Sequence, residues 1–462
     1  MGRSTHVATL VAVTAASIGV IYGYDLSNIA GAMLFITDQF KLSTHQQELV
    51  TTAVVVGQLV GAIGAGALAN AIGRKASMVL VAFTYAAFAL FSAFATTVPM
   101  LLVARLLLGL TIGVSIVVVP VFVAESAPAA TRGRLLVAYQ VATVAGIIVG
   151  YLTSYALADS RDWQLMLGLA ALPAVLVGFM LLKMPDTARW YLLQGRDDDA
   201  KQALQQVNPN TSDDDIDAEL AEIREALMAE SGGTVRELVR RPYLRATVFV
   251  VALGFFIQIT GINAVVYYSP RLFEKMGYTG NFALLVLPAL IQVAALIAVV
   301  VSLLLVDRVG RRPILLGGIA MMIVANIILI AVFADNLRNN TLGFVGVLLF
   351  TVGFTFGFGA LVWVYAGESF PAQLRSLGSS TMLTSDLVAN AIVGAFFLTM
   401  LNTLGGAGTF AVFGALALMA FGFVYRFAPE TRGRQLEDIR HFWENGGSWP
   451  APDAALNSAD RQ

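Results

Sequence analysis

An aspartate and an arginine, Asp25 and Arg105, each stand alone in long apolar stretches, "GVIYGYDLSNIAGA" (19–32) and "LLVARLLLGL" (101–110). An ionisable group in such a setting is costly to keep; it usually marks an ion path and has a partner. Burial and a neighbouring guanidinium pull in opposite directions on a carboxylate's hold on its proton. A site balanced between them can load and release a proton as its surroundings change. The plainer alternative is a static salt bridge that locks the fold. A second polar group is "QITGIN" (258–263). There Gln258 and Asn263 offer donors and acceptors together, beside a glycine, Gly261, that lets a helix loosen and bring its backbone near a ligand. Hydroxyl-rich ligands need that combination, while hydrogen bonding between helices is the alternative.

The rest of the chain excludes much other chemistry. There is no cysteine among 462 residues, so disulfides, thiolate chemistry and cysteine-ligated metals are ruled out. The three histidines, His6, His45 and His441, lie at the start, in a polar loop and in the tail. That leaves no histidine metal cluster or proton relay in the apolar body. The glycine-rich "FGFGA" (356–360) sits inside an apolar run rather than after a strand, so it is not a phosphate cradle. No nucleophile–histidine pair is present, and neither an enzyme nor a metal or cofactor is expected. A net charge of −1 gives no basic surface for nucleic acid.

The elements that must position these groups are membrane helices. Apolar residues make up 57% of the chain and charged ones 13%, against roughly 25% charged in a soluble protein. Apolar runs long enough to cross a bilayer as helices recur near 8–35, 47–70, 76–97, 99–124, 136–158 and 164–184, then near 244–272, 281–306, 313–334, 342–366, 377–401 and 406–427. The first run is too long for the apolar core of a signal peptide and is read as a true span. The expected class is an all-α membrane protein of twelve spans. Alternate loops hold "GRK" (73–75), "TRGR" (131–134), "DRVGRR" (307–312) and Arg375, while the opposite loops are nearly free of Lys and Arg. The bias towards positive charge on the inner side places both termini in the cytoplasm.

Residues 185–243 are polar, with short amphipathic helical patterns such as "AELAEIREALMA". The chain therefore divides into a six-helix bundle (1–184), a cytoplasmic linker (185–243), a second bundle (244–428) and a cytoplasmic tail (429–462). The halves repeat one another. "GALANAIGRKASMVL" (66–80) answers "SLLLVDRVGRRPILL" (302–316), and "VAESAPAATRGRL" (123–135) answers "AGESFPAQLRSLG" (366–378). Two similar halves with a path between them are a transporter architecture.

With "GYD" (23–25), "PDTARWYLLQGR" (185–196), "QITGINAVVYYSP" (258–270), "ESFPAQLR" (368–375) and "PETRGRQLEDI" (429–439), the chain resembles the sugar porter family of the major facilitator superfamily. That family includes bacterial xylose, galactose and arabinose proton symporters and animal glucose facilitators. The resemblance implies the major facilitator fold in a bacterial inner membrane. It also implies import of a monosaccharide or polyol with a proton, by a protein that works as a monomer in the lipid bilayer. A facilitator without proton coupling, or a proton-coupled exporter, would be the alternatives.

By the same resemblance Asp25 carries the proton and Arg105 tunes it. Gln140, Gln258, Asn263 and Trp363 hold the substrate, and Tyr267 and Tyr268 form part of the outer gate. A Trp ring offers an apolar face and an N–H edge to a sugar, and Gly357 and Gly359 suit a bending tenth helix. Arg74, Glu125, Arg132, Asp307, Arg311, Glu368, Arg375 and Glu430 form cytoplasmic charge networks that hold one state and break in another. The departures are informative. Ile257 stands where the family has a glutamine, Ala295 where it often has an asparagine, and Asn70 where it has an aspartate. Asp386 and Leu387 replace a polar residue and an aromatic. Asp386 shares a helix face with Asn390 and is expected to bind substrate or to serve as a second proton site.

Overall fold

The computed structural model describes residues 13–449 except 15, 127–128, 208–210, 231–233, 335–339 and 435. Among them every regular element is a helix. The first half holds α1 (Ile18–Phe40), α2 (Thr44–Ile72), α3 (Arg74–Ala93), α4 (Val98–Ser126), α5 (Ala129–Ala156) and the span α6 (Trp163–Leu182). Four short helices follow: α7 (Ala188–Leu193), α8 (Asp197–Val207), α9 (Asp213–Glu230) and α10 (Val235–Leu238). The second half begins with α11 (Leu244–Ile259), α12 (Ile262–Tyr267) and α13 (Ser269–Lys275). A π-turn (Phe282–Val286) leads into α14 (Leu287–Val309), followed by α15 (Arg311–Ala334) and α16 (Asn340–Phe354). A second π-turn (Thr355–Gly359) joins α17 (Ala360–Glu368), before α18 (Ala372–Thr403), α19 (Gly405–Phe427) and α20 (Leu436–Glu444).

Among the described residues, eleven helices are long and apolar enough to cross a membrane. The expected span near 136–158 is covered to Ala156 by α5, 28 residues long, whose first side chains, at 129–137, lie outside the described residues. The first span runs on to Phe40, past the expected end at 35. It passes through the polar "TDQ" because Gln39 accepts a hydrogen bond from the indole N–H of Trp163 at 2.7 Å. Lys41, at φ 53°, ends the helix. Ser43 and Gln46 then close a capping box that starts α2, satisfying backbone donors a bare helix end would leave open.

By contact the chain sorts into two compact units that cut across its sequence halves. One is Met1–Ala226 with Asn263–Leu296 and Ala391–Thr403; the other is Leu227–Ile262 with Ile297–Asn390 and Leu404–Gln462. In the first unit α1 lies on α5 and α2 on α4, backbone against backbone. A methyl group at Gly23 would strike the carbonyl of Thr143, and one at Gly109 that of Val54. Small residues permit this approach where apolar lipid gives no hydrophobic drive between helices. In the second unit α15 packs on α16 and α19, and Phe249 packs with Tyr365, Phe423 and Trp443.

Candidate functional site

Asp25 lies in the third turn of α1 and Arg105 in the third turn of α4, 5% and 0% exposed. Arg105 Nη1 donates to Asp25 Oδ1 at 2.7 Å. The contact is a single point. Asp25 Oδ2, and Arg105 Nε and Nη2, have no hydrogen-bond partner among the described residues, although both groups could form a two-pronged pair. Tyr24 and Tyr85 stand close enough to feel the carboxylate's charge. The surroundings are fixed: Tyr24 Oη and Asn28 Nδ2 both donate to the Met166 carbonyl, at 2.9 and 2.8 Å. The pair is thus a lone charge couple in a tightly held apolar bundle.

The expected seventh span is broken twice. Gly261, at φ +101°, ends α11 and starts α12, a conformation that costs a side-chain-bearing residue about 1–2 kcal/mol. Gln258 falls in the last turn of α11 and Asn263 in the first turn of α12, on either side of the break. Gln258 lies beside Asp386 of α18, and among the described residues its Oε1 has no hydrogen-bond partner. Asp386 and Asn390 are buried. Trp363, beyond the π-turn that contains Gly357 and Gly359, is 43% exposed, so it is not packed as a core residue. π-turns of this kind are frequent at functional sites. Gln140 and Asn263 are half-buried, and Ala295 is buried. Gln140, Asn263 and Ala295 belong to the first unit; Gln258, Trp363, Asp386 and Asn390 belong to the second.

Tyr267 and Tyr268 are buried in the first unit. Tyr268 Oη donates to the Gly394 carbonyl at 2.8 Å, and its ring stacks on Phe397. Tyr151 Oη donates to the Val266 carbonyl at 2.6 Å. Segments from the second half of the sequence are thereby bonded onto the helices of the first.

At the charged loops Arg74 Nε lies 3.2 Å from Glu125 Oε2, and Nη2 donates to Oε1 at 3.4 Å. Asn70 Oδ1 accepts from Arg74 Nη1 at 3.1 Å. Asp186 accepts the backbone N–H groups of Arg74, Lys75 and Thr187. Burial pushes the Asp186 carboxyl above its ordinary range, against the pull of those three donors. In the second unit Asp307 pairs with Arg311 at 3.1 Å, Glu430 accepts the N–H groups of Arg311 and Arg312, and Glu368 lies beside Thr431. Arg375 makes no ion pair among the described residues. The side chain of Arg132 lies outside them. Sequence reasoning missed Asp186, which looks like a loop acid, and Glu48, which looks like a polar flank of α2.

Apolar helices long enough to span a membrane surround isolated buried charges and polar helix breaks, an arrangement that suits an integral membrane transporter. A family model described as sugar (and other) transporter matches residues 11–443. The galactose-proton symporter of Escherichia coli K12 is 35% identical over 442 residues, covering 95% of this chain and 95% of that protein. The arabinose-proton symporter of the same strain is 33% identical over 435 residues, covering 93% and 92%. Among solved structures, the xylose transporter XylE from E. coli matches with a TM-score of 0.81 at 22% identity, covering 93% of this chain and 99% of that one; it shares the fold. The chain belongs to the sugar (and other) transporter family.

Proposed function

We propose that this protein imports a monosaccharide or polyol together with a proton, by alternating access, as a monomer in a bacterial inner membrane with both termini in the cytoplasm. The observation that carries the reading is the single-point Asp25–Arg105 pair. A carboxylate buried in a spanning helix, with one oxygen on a guanidinium and the other without a hydrogen-bond partner among the described residues, can take up a proton without a rearrangement of its neighbours. Protonation removes the anion and loosens Arg105, giving the protein two states that a proton biases. The names of the galactose- and arabinose-proton relatives support the coupling. Gln140, Gln258, Asn263 and Trp363 supply amide groups and an aromatic face to the substrate, Asp386 and Asn390 add to its polar contacts, and Tyr267 and Tyr268 gate the outer end.

Uptake into proteoliposomes tests this, with glucose, galactose, xylose, arabinose, inositol and glucosamine, with and without an inward proton gradient. Wild type is expected to accumulate at least one of these against its gradient. Asp25→Asn is expected to abolish accumulation while retaining exchange. Equal, gradient-blind uptake by both proteins would make this a facilitator and Asp25 a structural partner of Arg105.

A further inference from the structure

Glu48 is a carboxylate with no place in the reading above. It sits in the second turn of α2 and is 1% exposed. Its two oxygens accept from one residue of α18: Thr399 N–H donates to Oε1 and Thr399 Oγ–H to Oε2, both at 2.7 Å. No ion pair to Glu48 occurs among the described residues. A buried carboxylate held only by neutral donors is expensive, and hydrogen bonds to an ionised acceptor are the strong kind.

Glu48 is the centre of a polar stripe. Thr44, Glu48 and Thr52 lie four residues apart and so share one face of α2. Facing them on α18 are Asn402, whose Nδ2 donates to Thr44 Oγ1 at 3.1 Å, then Thr399, then Gly394. A methyl group at Gly394 would come within 3.1 Å of Thr52 Oγ1. The Gly394 carbonyl is also the acceptor for the gate residue Tyr268, which is hydrogen-bonded in turn to Thr51 of α2. These groups all belong to the first unit, at the end of α2 away from the Gly73 loop.

We propose that Glu48 and Thr399 form a latch that holds this end of the transporter closed and must release each time it opens. The inference rests on the alternating-access reading, and it makes Glu48 a positioning residue for the gate rather than a group that touches substrate. Its geometry suits a latch. Both hydrogen bonds run to one residue, so they form and break together. The donors are neutral, so release leaves no stranded cation on α18, and water can solvate the carboxylate once the end opens.

The test uses the full chain in proteoliposomes. Because the protein has no cysteine, Asp38→Cys and Thr403→Cys, both at exposed positions, give a background-free spin-label pair across this end. Wild type is expected to show mainly one short distance. Glu48→Gln and Thr399→Val are each expected to raise the long-to-short population ratio about tenfold. Thr399→Val keeps the side-chain shape and removes only the hydroxyl donor, so the test survives a failure of Glu48→Gln to fold. Unchanged distances in both variants, with melting temperature alone lowered, would make the pair a fold staple and overturn the proposal. The distances are read without substrate. A shift in a protein that moves none of the sugars above would uphold the latch and defeat the sugar reading instead.

Discussion

The two charged loops, Gly73–Lys75 and Gly310–Arg312, are built alike and tied differently. Each turns on a glycine with positive φ, +101° at Gly73 and +110° at Gly310. Each starts a helix with two basic residues whose N–H groups are capped by a distant carboxylate, Asp186 in one and Glu430 in the other. The guanidinium is then spent in opposite ways. Arg311 pairs with Asp307 one turn back, 79% exposed at its side chain. Arg74 has only the neutral Asn70 one turn back, and it reaches across to Glu125 on α4 with both side chains under 10% exposed. The position one turn before the arginine is an acid in one loop and an amide in the other; the first makes a local surface pair, the second accompanies a buried tie between helices. An amide at 70 thus removes an intra-turn competitor and leaves the link to Glu125 free to form, rather than simply subtracting a bond.

Breaking the two arginines should separate the loops most. Arg74→Ala removes the nearer of two cations from the buried Glu125, which keeps Arg189 at 3.7 Å and the Thr187 hydroxyl, and is expected to cost about 2–3 kcal/mol. Arg311→Ala removes an exposed pair and should cost at most about 1 kcal/mol. Thermal unfolding in micelles compares them, and equal losses would erase the distinction. The glycines should behave as a matched pair instead. Gly73→Ala and Gly310→Ala each force a side chain into left-handed backbone, about 1–2 kcal/mol, and push a methyl group against Asp186 or Glu430. A large difference between the two would mean that the turns are not equivalent. The finest test is Asn70→Asp. It should draw Arg74 back to its own turn and reduce the Arg74–Glu125 coupling, measured by a double-mutant cycle, by about half. An unchanged coupling energy would show that the amide does not direct Arg74.

The fold was legible wherever a residue was costly enough to need a reason. Asp25 and Arg105 stand out because each is a solitary charge in an apolar stretch, and that isolation makes each the other's natural partner. Gly261 was legible because a glycine among polar residues in a spanning helix has few uses besides a break. Glu48 was not. Next to Gln46 and Gln47, at the start of a helix, an acid reads as a surface group favoured by the helix dipole. Its partner, Thr399, is 351 residues away, and only the fold brings them together. Asp186 was hidden for the same reason: its three bonds are to backbone N–H groups, which no side-chain pattern announces. The end of α1 was set by a contact from Trp163 to Gln39, which hydropathy does not register.

The glycine seams bear on how such a protein can change over generations. Where Gly23 meets Thr143 and Gly109 meets Val54, no side chain stands in the contact. There is no series of small replacements to try, because the first added carbon already meets a carbonyl. Asp25 lies two residues beyond one seam and Arg105 one helical turn before the other. The groups proposed to handle the proton are therefore mounted on positions that cannot drift. Trp363, with much of its ring uncovered, is under no such restraint. A lineage built on this plan would inherit its energy source rigidly and its taste in cargo loosely.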